Sequence, residues 1–149
     1  MEIRIEMVPS HRIAYVRQTG PYGPANAQAM HAIKQWAAAK NLFSNSSFIV
    51  GISHDNPELT PPEQCRYDAC IVIPDHYPID GSVEEGELIG GKYATAKVKH
   101  TAEDIHHAWG EIFPILLSSG YQIDARPAYE RYIEEMLLEH FCEICVPVK

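Results

Sequence analysis

RYDACIVIP (residues 66–74) and FCEICVPVK (residues 141–149) are two copies of one strand pattern, in the middle and at the end of the chain. Aligning them pairs Asp68 with Glu143 and Cys70 with Cys145. Side chains alternate between the two faces of a strand, so both copies place a carboxylate and a thiol on the same face. This recurrence indicates that the fold is a duplication of one module.

A second match supports the duplication. AYVRQT (14–19) resembles AKVKHT (96–101) in its alternation, and each stretch runs into a helix. The order, type and spacing of the elements agree with two modules, at about residues 1–75 and 92–149. We therefore expect one domain, residues 1–149, made of two repeats.

Hydrophobic periodicity and turn residues divide the chain into strands and helices. Helices are predicted over 25–40 and 102–120, the second with Thr101 as N-cap and Gly120 as its stop. The stretch 75–91 is predicted to be a loop between the two halves. Strands are predicted at 2–8, 11–19, 47–55, 65–74, 92–100, 126–135 and 140–148, with a short connection (MLLE) before the last of them.

These elements predict an α+β fold of duplicated β-α-β-β modules related by a pseudo-twofold axis. The two modules would join into one curved antiparallel sheet, with both long helices on the same side. The junction of the modules would form a central cleft, which is the natural place for a ligand.

Composition excludes several classes of function. The chain of 149 residues has a formal net charge of −8 and no basic stripe, which disfavours direct binding to nucleic acid. No segment approaches 18 consecutive apolar residues and the N-terminus lacks a signal-peptide pattern, so we expect a soluble cytoplasmic protein with no membrane partner. In that compartment the four cysteines are expected to be thiols.

The stretch RPAYERYIEE (126–135) sets a glutamate between two tyrosines. On a strand, Glu130 and Tyr132 would share one face, and Tyr129 and Arg131 the other. A carboxylate flanked by aromatic rings suits a lipophilic cation, because it supplies charge complementarity while the rings supply cation–π attraction. In an alignment of the two modules, Glu130 falls near Val50 or Gly51, so only one module would supply the charge.

The sequence resembles the GyrI-like effector-binding domains. These domains are the small-molecule-binding fold of some multidrug-sensing regulators and of stand-alone gyrase-inhibitor-like proteins. The matching stretches span nearly the whole chain: AYVRQTGPYG, PPEQCRYDACIVIP and HAWGEIFPILLSSGYQIDARPAYERY. The last is the most specific, with a tryptophan on the helix, a Gly-Tyr break and then Tyr-Glu-x-Tyr.

The resemblance implies an aromatic cleft with a glutamate at its floor that meets cationic lipophilic compounds. The glutamate corresponds to Glu130 and the helix tryptophan to Trp109. Regulators of this kind carry a helix-turn-helix domain ahead of the module. This chain starts at the first strand of the module, so a free-standing receptor or an enzyme is expected.

Other tyrosines are candidates for the cleft. Tyr22, in the rigid turn Gly-Pro-Tyr-Gly-Pro, could hold its ring over the mouth of the cleft. Further candidate wall residues lie on or near strands: Tyr15, Tyr67, Tyr93 and Tyr121. Each is also explained by the frequency of tyrosine in strands.

Two alternatives to a receptor stay open. Some stand-alone members of the wider family hydrolyse the strained cyclopropane of DNA-alkylating natural products, and in such an enzyme Glu130 would act as general acid or base. The other alternative is a protein partner, DNA gyrase or a regulatory protein, docked on the acidic surface.

No cofactor or metal is expected. Cys142 and Cys145 have the spacing of a zinc knuckle, but an odd spacing on a strand sends the two thiols to opposite faces. His107 and Glu111 share a helix face without an evident third ligand, and they are expected to be surface residues.

Overall fold

The computed structural model describes residues 1–43 and 47–149. The described residues form eight strands, three α-helices and a short 3-10 turn at Pro62–Gln64. In chain order the elements are β1 (Ile3–Val8), β2 (His11–Thr19), α1 (Pro24–Ala39), β3 (Ile49–Ser53), β4 (Arg66–Val72), β5 (Glu84–Leu88), β6 (Gly91–Lys99), α2 (Ala102–Ser118), β7 (Tyr129–Tyr132), α3 (Glu134–Leu138) and β8 (Phe141–Pro147).

All eight strands form one curled antiparallel sheet in the order β1-β6-β8-β7-β3-β4-β2-β5. The modules meet where β3 pairs with β7, at the centre of the sheet. Each module begins with a strand that pairs with the other module, because β1 pairs with β6 and β5 pairs with β2. The predicted duplication and α+β class are confirmed.

The prediction of a loop over 75–91 was wrong in part, because β5 lies within it. The sequence of β5, EEGEL, lacks an apolar alternation, and only Leu88 is buried. The strand forms at the edge of the sheet, through antiparallel pairing with His11–Tyr15 of β2. Such an edge strand needs no buried face, so the sequence pattern carries little sign of it.

The alignment of β2 with β6 also needs correction. Arg17 lies opposite Asp68, and Lys97 lies opposite Glu143, so Arg17 corresponds to Lys97. The matched stretches AYVRQT and AKVKHT had paired Arg17 with Lys99 instead. A shift of two residues keeps every side chain on its face, which is why the alternating pattern alone did not reveal it.

The final third of the chain differs from the prediction in the length of one strand. The stretch 126–135 was predicted as a strand, but β7 covers only Tyr129–Tyr132, and MLLE lies largely in α3. Among the described residues, the ladder that joins β3 to β7 contains three residue pairs, so the two modules are joined by a short ladder.

Both long helices cover the same face of the sheet. Equivalent positions bury their side chains there: Ala29, Ile33 and Ala37 of α1, and Ala108, Ile112 and Leu116 of α2. As predicted, the Thr101 hydroxyl caps α2 by accepting a hydrogen bond from the Asp104 N–H, and Gly120 (φ 89°) follows the helix in a left-handed conformation.

The opposite face of the sheet carries a second apolar cluster that includes Val50, Cys70, Tyr93 and Tyr129. Every member of this cluster lies on a strand or next to one, so no residue of the three described helices belongs to it. Among residues 1–43 and 47–149, no helix is long and apolar enough to cross a membrane.

Candidate functional site

Glu130 lies on the pseudo-twofold axis of the fold. Ile52 pairs with Asp68 in the first module, as Arg131 pairs with Glu143 in the second, so Gly51 and Glu130 occupy equivalent positions. They are also directly opposite each other in the ladder between β3 and β7. The axis therefore passes between these two residues, and one carries a carboxylate where the other carries a hydrogen atom.

Two neutral donors hold the Glu130 carboxylate. The Trp109 Nε1–H donates to Oε1 at 3.0 Å, and the Tyr132 hydroxyl donates to Oε2. Trp109 comes from α2 and Tyr132 from β7, two residues further along the strand that carries Glu130. Both bonds are charge-assisted, so they fix the orientation of the carboxylate without cancelling its charge.

A cavity of about 290 Å³ opens above this carboxylate. Its walls come from α1, from the central strands and from the end of β6, so it occupies the junction where the sequence predicted a cleft. Its lining residues are Asn26, Ala27, Met30, Lys34, Ser53, Tyr67, His100, Glu130 and Tyr132.

Close packing explains why the first module carries a glycine on the axis. A Cβ atom at Gly51 would lie 2.5 Å from the Tyr67 hydroxyl oxygen, well inside contact distance. The absence of a side chain therefore lets the Tyr67 ring lie across β3. The equivalent residue in the second module is the small Cys142, so only the first module places a phenol at this position; the second module contributes Tyr132 to the cavity instead.

The two helices also present different side chains to the junction. Since the buried stripe of α1 matches that of α2, Met30 corresponds to Trp109. Met30 lines the cavity, while Trp109 bonds to Glu130 and stacks on Phe113 with ring centroids 6.1 Å apart. At this position the second module thus supplies a hydrogen-bond donor to Glu130, and the first supplies a flexible thioether that lines the cavity.

The charge of Glu130 is uncompensated within the part of the chain that the structure describes. No Lys, Arg or His nitrogen there forms an ion pair with it, whereas the two other half-buried or buried carboxylates of the central strands are paired. Asp68 accepts two hydrogen bonds from Arg17 at 2.7 and 2.8 Å, and Glu143 is bonded to Arg131 and Arg4. Lys34 and His100 line the same cavity without bonding to Glu130.

The groups around Glu130 are held in their neutral forms. Burial and the Glu130 charge raise the pKa of both Tyr67 and Tyr132 well above the usual value for tyrosine. Burial, together with Glu130 and Glu143, raises the pKa of the Cys142 thiol to about 12. At neutral pH both tyrosines are therefore hydrogen-bond donors, and Cys142 is a thiol.

The structure brings together three of the predicted site residues, Glu130, Trp109 and Tyr132. Tyr67, a predicted wall residue, joins them. Tyr121 packs against the core beyond α2 and is absent from the cavity lining. Whether these residues bind a ligand stays a prediction.

Three predicted tyrosines lie elsewhere, which corrects their placement in the cleft. Tyr15 and Tyr93 lie on the face of the sheet that the helices do not cover. Each follows or precedes a helix-facing alanine along its strand, and their ladder partners are Cys70 and Pro147. Tyr22 uses its hydroxyl to donate to the Arg66 carbonyl at 2.8 Å and to accept from the Asp55 N–H at 3.1 Å. These bonds tie its loop to the start of β4, away from the cavity lining.

The residues considered as metal ligands do not converge. Cys142 and Cys145 belong to clusters on opposite faces of the sheet, as the spacing predicted. His107 and Glu111 are exposed and 3.7 Å apart. Within the described ranges, no group of three or more His, Cys, Asp or Glu residues could hold a metal ion.

A larger depression of about 550 Å³ lies at the edge where β5 pairs with β2. Its lining includes Arg12, Asp75 and Glu85, and Arg12 is already bonded to Glu85 at 2.6 Å. It lacks the tyrosine side chains of the junction, and its other carboxylates, Asp75 and Glu87, are exposed to solvent, so the smaller cavity is the better candidate site.

Sequence reasoning missed six lining residues: Asn26, Ala27, Met30, Lys34, Ser53 and His100. The duplication contained a signal for two of them, because Met30 is equivalent to Trp109 and Ser53 to Tyr132. Lys34 and His100 carry no such signal, since their approach to the cavity depends on how α1 and the end of β6 sit over β7.

The fold and the junction cavity define a small-molecule-binding domain of two related modules, in which the predicted β-α-β-β unit is preceded by a further strand, β1 or β5. The GyrI-like small molecule binding domain family matches residues 1–149, and the chain belongs to this family.

Two curated relatives align with most of the chain. The chain is 39% identical over 150 residues, covering 100% of both sequences, to YosT of Bacillus subtilis (strain 168), an SPbeta prophage-derived protein named as a candidate transcriptional regulator. It is 26% identical over 137 residues to the DNA gyrase inhibitor of Escherichia coli (strain K12), covering 89% of this chain and 86% of that one.

Three solved structures share the fold at low sequence identity. The EcmrR C-terminal domain superposes with a TM-score of 0.78 at 15% identity, covering 99% of this chain and 97% of that one. SAV2435 bound to tetraphenylphosphonium gives 0.65 at 15% identity, covering 100% and 94%. A hydrolase encoded by lin2189 from Listeria innocua gives 0.69 at 11% identity, covering 99% and 92%.

Proposed function

We propose that the junction cavity binds small amphipathic cations and that Glu130 supplies the matching charge. The observation that carries this proposal is the state of the Glu130 carboxylate. Both of its oxygens are held by neutral donors, Trp109 and Tyr132, and no described cationic side chain pairs with it.

A cation in the cavity would gain from two kinds of attraction. A unit charge about 4 Å from the carboxylate gains roughly 4 kcal/mol at an effective dielectric constant of about 20, before the cost of desolvation. The rings of Tyr67 and Tyr132 can add about 0.5–2 kcal/mol each when the cation lies over a ring face. Neutral hydrophobic ligands of the same shape would gain neither.

Charge on the opposite wall restricts the ligand. Lys34 lies on α1 across the cavity, so a cation is favoured close to β7 and disfavoured near α1. The cavity of about 290 Å³ suits a compact ligand, and the flexible Met30 side chain can adapt to its apolar part. One solved member of this fold was bound to tetraphenylphosphonium, a lipophilic cation, which supports the proposed ligand class.

Isothermal titration with two cationic probes tests the proposal. Phenyltrimethylammonium fits the cavity as it stands, and tetraphenylphosphonium tests a bulkier cation. Glu130→Gln keeps the size of the side chain and removes its charge, so we expect about a tenfold or greater loss of affinity, equivalent to about 1.4 kcal/mol.

Glu139→Gln is the matched control, since Glu139 is an exposed glutamate just after α3. It changes the net charge equally and should leave both affinities unchanged. The proposal fails if the wild-type protein binds neither cation, or if Glu130→Gln binds them as well as the wild type does.

A second candidate is a hydrolase that opens strained, electrophilic rings such as the cyclopropane of alkylating natural products. The Tyr132 hydroxyl donates to the Glu130 carboxylate and stays protonated, so the pair offers a base for a water molecule beside a phenol donor. A fold neighbour named as a hydrolase is consistent with this chemistry. Turnover of a cyclopropane alkylator that is lost in Glu130→Gln, with cation binding by the wild type absent, would favour the hydrolase.

A protein partner and a cytoplasmic location stay predictions. Several relatives are named DNA gyrase inhibitor, and the net charge of −8 would suit a basic partner. Supercoiling assays with purified gyrase, with and without an excess of this protein, test that partner directly.

A further inference from the structure

The two edges of the sheet differ in a way that bears on assembly. The edge strands are β1 and β5, and within the described ranges neither has a strand on its outer side. An edge strand with free N–H and C=O groups can pair with another chain unless its side chains prevent it.

Strand β1 has a self-complementary sequence, IRIEM over residues 3–7. If two copies pair antiparallel with Ile5 opposite Ile5 of the second copy, Arg4 faces Glu6 and Ile3 faces Met7, and the twofold axis repeats each pair. Opposite charges and apolar pairs placed directly across from each other stabilise an antiparallel ladder.

The exposure of β1 agrees with this pairing. Ile5 and Met7 are 41% and 72% exposed, although both are large apolar side chains on the face that the helices cover elsewhere. Arg4 bonds to Glu143 at 2.6 Å and keeps about half of its side chain exposed. Glu6 bonds to Arg131 at 2.7 Å and keeps 31% of its side chain exposed, so each can add a partner across the edge.

Strand β5, in contrast, is not self-complementary in charge. Its sequence, EEGEL, would place Glu85 against Glu87 of a second copy if two β5 strands paired about Gly86. Like charges directly opposite each other destabilise a ladder, so this edge resists self-pairing.

We propose that β1 is a dimerisation edge, through which two copies of this chain join their sheets in an antiparallel pair centred on Ile5. The interface is isologous, and the second copy is its occupant. A single edge of six residues buries less surface than a standard protein interface, so the dimer forms at micromolar and higher concentrations.

Cysteine cross-linking tests the register of this pairing. Ile5→Cys brings two thiols face to face at the axis. Met7→Cys places them about 13 Å apart, from four residues at about 3.3 Å each. The native cysteines are buried and should not compete. With a short bis-maleimide we expect Ile5→Cys to form covalent dimers at least about fivefold faster than Met7→Cys, although Met7 is the more exposed position.

Sedimentation velocity over a concentration series gives the second readout. The wild type should pass from monomer to dimer, and Ile5→Lys should stay monomeric because two lysines would meet at the axis. Leu138→Lys, at an exposed apolar residue of α3, should dimerise like the wild type. A monomer at every concentration, growth beyond a dimer, or equal cross-linking at positions 5 and 7 would overturn the proposal.

Discussion

The two modules of this protein share a backbone arrangement and differ in chemistry where they meet. On the axis, the first module has Gly51 and the second has Glu130, directly across the ladder. A duplicated site with two glutamates would place like charges opposite each other, which destabilises the pairing of the central strands. A symmetric fold therefore holds a single charge at its centre when one of the two modules carries an uncharged residue on the axis, here Gly51.

The same contrast extends along both strands and both helices. The first module contributes Met30, Ser53 and Tyr67, where the second contributes Trp109, Tyr132 and Cys142. The second module therefore holds the carboxylate and its two hydrogen-bond donors. The first provides space, a phenol and an adaptable side chain.

Restoring the symmetry of the axis should have the largest effect. Gly51→Glu would force a side chain into the Tyr67 hydroxyl and set a second carboxylate opposite Glu130. We expect a loss of unfolding free energy on the order of 3 kcal/mol or more, measured by urea denaturation. Ser53→Glu is the control for the steric overlap, because it adds the same charge at an exposed position of the same strand and the same cavity wall. An equal loss in that variant would show that overlap with Tyr67 is not the cause.

Gly51→Ala isolates the steric part of the difference. The added Cβ would meet the Tyr67 hydroxyl, so we expect a destabilisation of about 1–3 kcal/mol. Tyr67→Phe removes the contacting oxygen, and the double variant should recover much of that loss. Additive effects of the two substitutions would show that Gly51 is required for another reason.

Trp109→Phe tests the donor that the first module lacks. The substitution keeps an aromatic ring and removes the N–H that bonds to Glu130, so we expect a loss of about 1 kcal/mol in unfolding free energy and a several-fold change in cation affinity. Trp36→Phe is the matched control on α1, where the indole faces the exposed Asp80. Identical behaviour of the two variants in cation titrations would count against a role for Trp109 at the site.

Lys34→Gln should have the smallest effect, and in the opposite direction. It removes a positive charge from the α1 wall of the cavity, so cationic probes should bind up to about threefold more tightly at low salt. The gain should disappear at high salt because Lys34 is exposed and its field is screened. Weaker cation binding by Lys34→Gln would place the ligand elsewhere.

The sequence predicted the features that depend on local patterns. Alternation along one strand placed Glu130 and Tyr132 on the same face, and the repeated carboxylate and thiol of β4 and β8 revealed the duplication. Features that depend on pairing between distant segments were missed or misplaced. The β5 strand has no apolar pattern of its own, and the contact of Tyr67 with Gly51 exists only through the register of two strands.

The misplaced tyrosines illustrate the same limit. Tyr15 and Tyr93 are typical strand residues, and nothing within their own segments states which face of the sheet the helices cover. Their neighbours Ala14 and Ala94 face the helices, so both tyrosines face the other way. In both modules a small alanine stands next to a large tyrosine on the strand. This repeated pattern indicates that the helices cover the face with the alanines.

Two ligands of one shape and different charge would show whether Glu130 sets the ligand preference of the cavity. Phenyltrimethylammonium and tert-butylbenzene are close in size, and only the first is a cation. By ligand-observed NMR titration, the wild type should prefer the cation by about tenfold or more, and Glu130→Gln should bind both about equally. Equal binding of the two ligands by the wild type, or a cation preference that survives in Glu130→Gln, would contradict the claim that one carboxylate on the axis defines this site.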